Sequence, residues 1–260
     1  MKKIMLIGYG AMAQAVLERL PEGVAPGWIV ARESHHAAIQ ARFGDRVVAL
    51  VSPQDCKEKP DLVLECASQQ AVEQYGVEIL KRGWTLAIVS VGALANAELE
   101  AALNQAKKQG GGKLVLLSGA VAGLDGLAAA REGGLKTVTY QARKSPASWR
   151  GSYAERLVDL DNVVQEQIFF EGSAREAARL FPANANVAAT IALGGVGMDD
   201  TRVQLMVDPA TRRNTHRLHV CGLFGEFQLE LNGLPLSTNP KTSTLAALSA
   251  VRACRQLAEE

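Results

Sequence analysis

Two histidines three residues apart, His216 and His219, stand in a stretch that alternates polar and apolar residues from Thr215 to Cys221. On a strand that spacing sends them to opposite faces, so at most one enters a given pocket. Imidazole titrates closest to neutral pH and suits proton transfer coupled to hydride chemistry; the plainer alternative is a surface or satisfied buried ring. Arg143-Lys144 closes an earlier alternating stretch with two cations. They are candidates to hold a carboxylate, Arg in two-pronged fashion, or they mark an ordinary solvated strand end. Asn184-Ala185-Asn186 opens a helical stretch after Pro182; one amide is expected to cap the helix, leaving the other for a ligand. Cys66, within Glu65-Cys66-Ala67-Ser68, is conceivable as a nucleophile. A reactive thiolate needs a base or cation beside it, and none is in view, so these small residues read more simply as room for a nicotinamide ribose.

The chemistry these groups would join is suggested by Gly8-Tyr9-Gly10-Ala11-Met12-Ala13, directly after the apolar run Ile4 to Ile7. Strand, glycine turn and helix opening (Met12 to Leu20) form the order a dinucleotide pyrophosphate requires. Gly8 permits the tight turn, Gly10 lets backbone approach the phosphates, and Ala11 and Met12 lead into the helix whose N–H groups face them. About one strand later comes Val30-Ala31-Arg32-Glu33. Arginine there accommodates the 2′-phosphate of NADP, whereas an acidic residue holds the ribose of NAD. Arg32 favours NADP or use of both, and Glu33 sits one residue late.

The elements that must position these residues fall into two halves. The first alternates apolar runs (Ile4–Ile7, 28–31, 47–50, 61–65, 85–89, 113–117) with helical patterns, as a parallel sheet covered on both faces does. Ser34, Ser68 and Asn96 are the expected helix caps. Six such strands with a phosphate loop after the first predict a doubly wound Rossmann domain over residues 1–118. In the second half, strands at 136–142, 164–169, 202–207, 215–221 and 226–231 alternate and suit a mainly antiparallel sheet. Helical stretches at 173–180 and 185–193 interrupt them, so residues 119–241 are expected to form an α+β substrate and oligomerisation domain. The small-residue run Ser118 to Gly126 allows close backbone approach to a ligand, or is a flexible connection. A last amphipathic helix, 242–258, capped by Thr242 or Ser243, is expected to fold back onto the first domain.

Composition excludes several classes. Charges nearly cancel, 28 Lys+Arg against 27 Asp+Glu, so no global field steers the chain to nucleic acid or an anionic membrane. No apolar run reaches bilayer length, and no leader is expected at the amino terminus. Cys56, Cys66, Cys221 and Cys254 are scattered, without the close pairs of a zinc or redox motif. No metal is expected, and reduced thiols point to the cytoplasm. An antiparallel sheet leaves one face to cover, which makes a homodimer the expected assembly.

Several stretches together resemble the L-aspartate dehydrogenase family over nearly the whole chain. They are the glycine turn, Glu65-Cys66-Ala67-Ser68, Ser118-Gly119-Ala120 with Gly123-Leu124-Asp125, Arg143-Lys144, Phe181 to Thr190, Asn214-Thr215-His216 and Asn239-Pro240-Lys241-Thr242-Ser243. The Asn-Val-Ala-Ala-Thr and Asn-Pro-Lys-Thr-Ser runs are the specific ones. The resemblance implies NAD- or NADP-dependent oxidation of L-aspartate to oxaloacetate and ammonia by way of iminoaspartate, an imine that feeds NAD synthesis in some organisms. It implies His216 as the catalytic residue, against His219, and Ala120 and Asn186 as cofactor contacts. Ser145 departs from the family, which usually has Pro after Arg-Lys, and this bears on the substrate role of Arg143 and Lys144. The alternatives are a reductase of the dihydrodipicolinate reductase or homoserine dehydrogenase type, or a protein that senses NAD(P)(H) without turning it over.

Overall fold

A computed structural model describes residues 1–182 and 185–259, with the side chains at 240 and 241 outside the description. The chain divides into two compact units, one of residues 1–117 with 246–260, the other of residues 118–245.

In the first unit, strands β1 (Lys2–Ile7), β2 (Val24–Val30), β3 (Val48–Leu50), β4 (Leu62–Glu65), β5 (Thr85–Ile88) and β6 (Lys113–Leu116) form one parallel sheet in the order β3-β2-β1-β4-β5-β6. This is the doubly wound order with its reversal between β1 and β4. Ile4, Met5, Leu6, Ile29, Leu64 and Leu86 are completely or almost completely enclosed, as continuous apolar strands between two helical layers must be. The helices are α1 (Ala11–Leu17), α2 (His36–Phe43), α3 (Gln69–Lys81) and α4 (Ala97–Gly110). Ser68 caps α3 by accepting from Ala71 N–H, and Asn96 caps α4 by accepting from Glu98 and Leu99. Two expectations are corrected. The first helix spans Ala11–Leu17, not 12–20, and Ser34 lies inside a single 3-10 turn, Glu33–His35, rather than capping α2. Successive tight turns there leave no extended cap residue for α2, which begins directly from His35.

The second unit contains α5 (Leu124–Glu132), β7 (Leu135–Lys144), α6 (Pro146–Trp149), β8 (Gln167–Ser173), α7 (Ala174–Leu180), α8 (Asn186–Gly194), β9 (Arg202–Val207), β10 (Asn214–Gly222), β11 (Gly225–Gly233), β12 (Pro235–Leu236) and β13 (Asn239–Ser243). The five-stranded sheet runs β11-β10-β7-β9-β8. It is antiparallel except for β7 with β9, which are parallel. Along β7 the even-numbered residues Val138, Tyr140, Ala142 and Lys144 are buried while the odd ones are partly or fully exposed, so one face carries α5, α7 and α8 and the other faces outward. The strand expected at 164–169 begins only at Gln167, because 163–166 are irregular chain with a bend at Gln165. The run 118–126 is no flexible connection throughout: α5 starts at Leu124, with Gly123 at φ +74° before it. Thr242 and Ser243 belong to β13, so the last helix, α9 (Thr244–Glu259), starts later than expected. From Ala246 onward α9 is part of the first unit and buries Ala247, Ala250 and Cys254 there.

Candidate active site

In the first unit the sharp end of β1 opens a cavity of about 820 Å³. Gly8, Gly10, Arg32, Glu33, His35, Cys66, Ala67 and Ser68 are on its wall. Gly8 has φ +103°, and a Cβ placed on it would stand 3.0 Å from Ala67 Cβ and 3.1 Å from the Cys66 carbonyl oxygen. Only glycine lets β1 turn this close to the end of β4. At Gly10 a Cβ would meet nothing within 4 Å, so the backbone borders open space. Ala11 and Met12 follow as the first residues of α1, which has no side-chain cap and no acidic residue in its first turn. These features fit a dinucleotide: room along the backbone, a helix opening without competing anions, and Arg32 with no ion pair to another described residue. His35 packs edge-on against Tyr9 at the rim, 5.9 Å between ring centres.

Cys66 is buried at 6% exposure. Burial, with the Glu65 carboxylate and the Cys254 thiol nearby, pushes its own thiol well above the ordinary range. It is held protonated, which removes the nucleophile reading. Glu65, absent from the expected site residues, is 1% exposed. Its carboxylate accepts from Ala67 N–H (2.7 Å), Ser90 N–H (2.9 Å), Val89 N–H (3.2 Å) and the Ser90 hydroxyl (3.0 Å). It clamps the carboxyl ends of β4 and β5 together. Burial raises its pKa, against hydrogen bonds that pull it down.

The second unit gathers a different set. Registers pair His216 with Ala142 on β7 and Leu231 on β11, placing its ring on the helix-covered face. His219 is on the opposite face, as the three-residue spacing predicts. The His216 ring is 8% exposed, and its Nδ1 lies 2.7 Å from the Tyr140 hydroxyl. Burial and then the Lys144 ammonium push the imidazole pKa down to about 3, so the ring is neutral at neutral pH. Lys144, two residues along β7 from Ala142, is 9% exposed with Nζ 5.0 Å from the Trp149 ring centre. Desolvation lowers its pKa to about 8. Tyr140 is fully buried, and that burial keeps the phenol protonated. Nothing in the sequence but the even-numbered alternation of β7 pointed to Tyr140.

Arg143 and Lys144 do not act together. Adjacent residues on a strand face opposite sides, and Arg143 lies on the outer face, ion-paired with Asp208 (3.4 Å) and Glu166 (3.5 Å). Ala120 is buried in the turn that precedes α5. Asn186 is the first residue of α8, and its carbonyl accepts from the Thr190 hydroxyl at 2.8 Å. Ala185 stands at the N-cap position and Asn186 is already inside the helix, while Asn184, the other amide expected there, lies outside the described residues.

Residues 125–257 match the family model for the aspartate dehydrogenase C-terminal domain, and residues 8–117 match that for the homoserine dehydrogenase NAD binding domain. The L-aspartate dehydrogenase of Serratia proteamaculans is 71% identical over 259 residues, covering 100% of this chain and 98% of the relative. The chain belongs to the L-aspartate dehydrogenase family. The enzyme of that name from Acinetobacter baylyi is 50% identical with the same coverage. The crystal structure of aspartate dehydrogenase from Thermotoga maritima superimposes with a TM-score of 0.77 at 27% identity, covering 99% of this chain and 97% of that one. Family membership makes the protein an NAD(P)-dependent dehydrogenase. No helix among the described residues is long and apolar enough to cross a membrane.

Proposed function

We propose that this protein oxidises L-aspartate to oxaloacetate and ammonia through iminoaspartate, and runs the same steps in reverse. The observation that carries the proposal is the buried cluster of His216 on β10 with Tyr140 and Lys144 on the neighbouring β7, all on one face of the sheet. Two titratable groups beside one another, both with lowered pKa values, are what acid–base chemistry on a charged substrate uses. Full-length identity to enzymes of that name supports the choice of aspartate.

The nicotinamide cofactor supplies the hydride acceptor when bound. Gly8, Gly10, Ala11, Met12, Arg32, Cys66, Ala67 and Ser68 are proposed to border it in the first unit, and Ala120 and Asn186 to contact it from the second. His216 acts as base in the tautomer whose Nδ1–H donates to the Tyr140 oxygen, leaving the Nε2 lone pair for a proton. Neutral His216 takes a proton from the water that attacks the imine carbon, then returns it as ammonia departs. Lys144, charged below about pH 8, meets a substrate carboxylate through charge-assisted hydrogen bonds. Binding of that anion opposes the ammonium's repulsion of imidazolium, so the base strengthens when substrate is present. Arg143 holds the outer face in place through Asp208 and contributes to the carboxylate site by positioning β7.

The test is to follow nicotinamide absorbance with L-aspartate and each oxidised cofactor, and with oxaloacetate, ammonia and each reduced one. Turnover of aspartate above homoserine and above dihydrodipicolinate is the expected result. Preference for either competitor, or cofactor binding without turnover of any of them, overturns the proposal. Four free cysteines support a reducing, cytoplasmic location. The outward face of the five-stranded sheet supports a homodimer, which sedimentation equilibrium would register as twice the chain mass. The imine product places the enzyme beside reactions that consume iminoaspartate, NAD synthesis among them.

A further inference from the structure

On the outward face of the second unit's sheet, the hairpin of β10 and β11 brings together three ligand-bearing side chains that the dehydrogenase chemistry does not use. His219 and Cys221 are two residues apart on β10 and share a face. Glu226 is the direct cross-strand partner of Cys221. His219 Nε2 lies 3.4 Å from Glu226 Oε2 and 3.4 Å from Cys221 Sγ, and that sulfur lies 3.6 Å from the same Oε2. One nitrogen, one sulfur and one oxygen thus form a nearly equilateral triangle at a partly exposed position.

Those separations match one face of a zinc tetrahedron. With metal bonds of about 2.0–2.2 Å to nitrogen and oxygen and about 2.3 Å to sulfur, tetrahedral angles hold ligands about 3.3–3.6 Å apart. A hydrogen-bonded chain of three groups needs two short contacts; here all three edges are short. We propose that His219, Cys221 and Glu226 bind a borderline-soft divalent cation, of which Zn²⁺ is the type, with solvent water as the fourth ligand. Thiolate and imidazole select such a cation over Mg²⁺ or Ca²⁺, which take oxygen ligands. On binding, the cysteine thiol releases its proton to solvent and the metal–sulfur bond replaces the S–H bond. The site crosses the two strands just before their Gly222–Gly225 turn, so the ion ties β10 to β11 and holds the hairpin that carries His216 on its other face. Cysteine scatter along the sequence pointed away from metal because two ligands are joined by a strand ladder, which no close pairing of cysteines reveals.

The full chain, stripped of metal with a chelator, is titrated with Co²⁺ and then with Zn²⁺ in competition. The expected result is one Co²⁺ per chain, with the visible bands of tetrahedral cobalt and a thiolate-to-cobalt charge-transfer band, displaced by one equivalent of Zn²⁺. Cys221→Ser should abolish the charge-transfer band, and His219→Gln and Glu226→Gln should each weaken uptake. Cys56, Cys66 and Cys254 remain as internal controls, being buried. A charge-transfer band that survives Cys221→Ser, uptake equal in wild type and all three variants, or no band in wild type at a many-fold excess of Co²⁺ overturns the proposal. Matching far-ultraviolet circular dichroism of the variants certifies that they fold, and the wild-type titration stands without them.

Discussion

Each unit buries a titratable side chain in its sheet, Glu65 at the carboxyl end of β4 and His216 near the amino end of β10, and the two do so in opposite ways. Glu65 in the first unit is surrounded by four donors, three of them backbone N–H groups. Among the described residues, His216 in the second bonds through its ring to the Tyr140 hydroxyl, and the nearby Lys144 ammonium disfavours its protonation. A buried carboxylate so fully bonded is fixed in one state and serves as a joint between strands. A buried imidazole held neutral by desolvation and by a nearby ammonium is poised to change state when an anion arrives. The difference separates scaffold from chemistry more sharply than burial does, since both groups are nearly inaccessible.

The largest expected effect breaks the second unit's side of that contrast. His216→Asn should cut turnover of aspartate about 10³-fold, the range of a lost acid–base catalyst, while leaving affinity for the reduced cofactor within twofold in a fluorescence titration. Turnover near wild type would remove His216 from the chemistry. The same ring carries an acid-sensitivity of similar size. Its folded pKa of about 3 is below the unfolded value of about 6.5, so between those values the unfolded chain binds more protons. Stability should therefore fall as pH drops from about 6.5 towards 3, by up to roughly 4 kcal/mol from this group. Denaturant midpoints measured across that window should decline less steeply in His216→Asn than in wild type.

On the first unit's side the expected response is structural. Glu65→Ala leaves three buried N–H groups and the Ser90 hydroxyl without their acceptor, and should cost about 3 kcal/mol of stability. Glu65→Gln retains an acceptor oxygen and should lose less. The kcat of whichever fraction stays folded should remain within a few-fold of wild type, measured by active-site titration beside thermal melts. A kcat loss as large as that of His216→Asn, with an unchanged melt, would put Glu65 in the chemistry and dissolve the contrast.

These two regions also differed in how far sequence alone discloses them. The parallel sheet was legible because a strand buried on both faces must be apolar without a break, and Ile4 to Ile7 or Asp61 to Glu65 cannot be read otherwise. The glycine turn was legible because a backbone feature needs a residue type, and Gly8 at φ +103° admits no other. Glu65 itself was passed over, since an acidic residue at a strand end looks solvated until the neighbouring β5 supplies its donors. In the second unit, alternation places His216 and His219 on opposite faces and equally separates Arg143 from Lys144, so of the two cations offered for a carboxylate only Lys144 lies on the buried face. Which face a helix covers is a long-range fact that no local pattern contains. Tyr140 and the Asp208 partner of Arg143 depend on the same fact. The helix starts near Ser34 and Thr242 were missed for a local reason: several hydroxyl residues compete for one cap, and a tight turn or a short strand takes them instead.

Lys144 sharpens the comparison by a smaller amount. Lys144→Met should raise KM for aspartate about 10–100-fold, the worth of a charged hydrogen bond, with a lesser change in kcat. In wild type, affinity for succinate, a dicarboxylate with no amine to titrate, should weaken as pH rises through about 8, where the lowered pKa discharges the ammonium. Lys144→Arg should hold that affinity flat over the same range, because guanidinium does not titrate there. Equal pH profiles in the two proteins would move carboxylate recognition elsewhere.

The smallest effect is expected at the rim of the first unit's cavity, where Arg32 and Glu33 stand side by side. Their neighbours do not decide between them: neither makes an ion pair with another described residue, and a single 3-10 turn from Glu33 to His35 sets both on the wall. An exposed guanidinium gains about 1 kcal/mol or less from a phosphate it meets in water, because screening and side-chain entropy offset most of the attraction. Arg32→Ser should therefore weaken NADP binding by no more than about tenfold while leaving NAD affinity unchanged, and the loss should shrink as salt is added. A drop shared equally by both cofactors would mean that Arg32 supports the wall of the cavity and does not read the ribose.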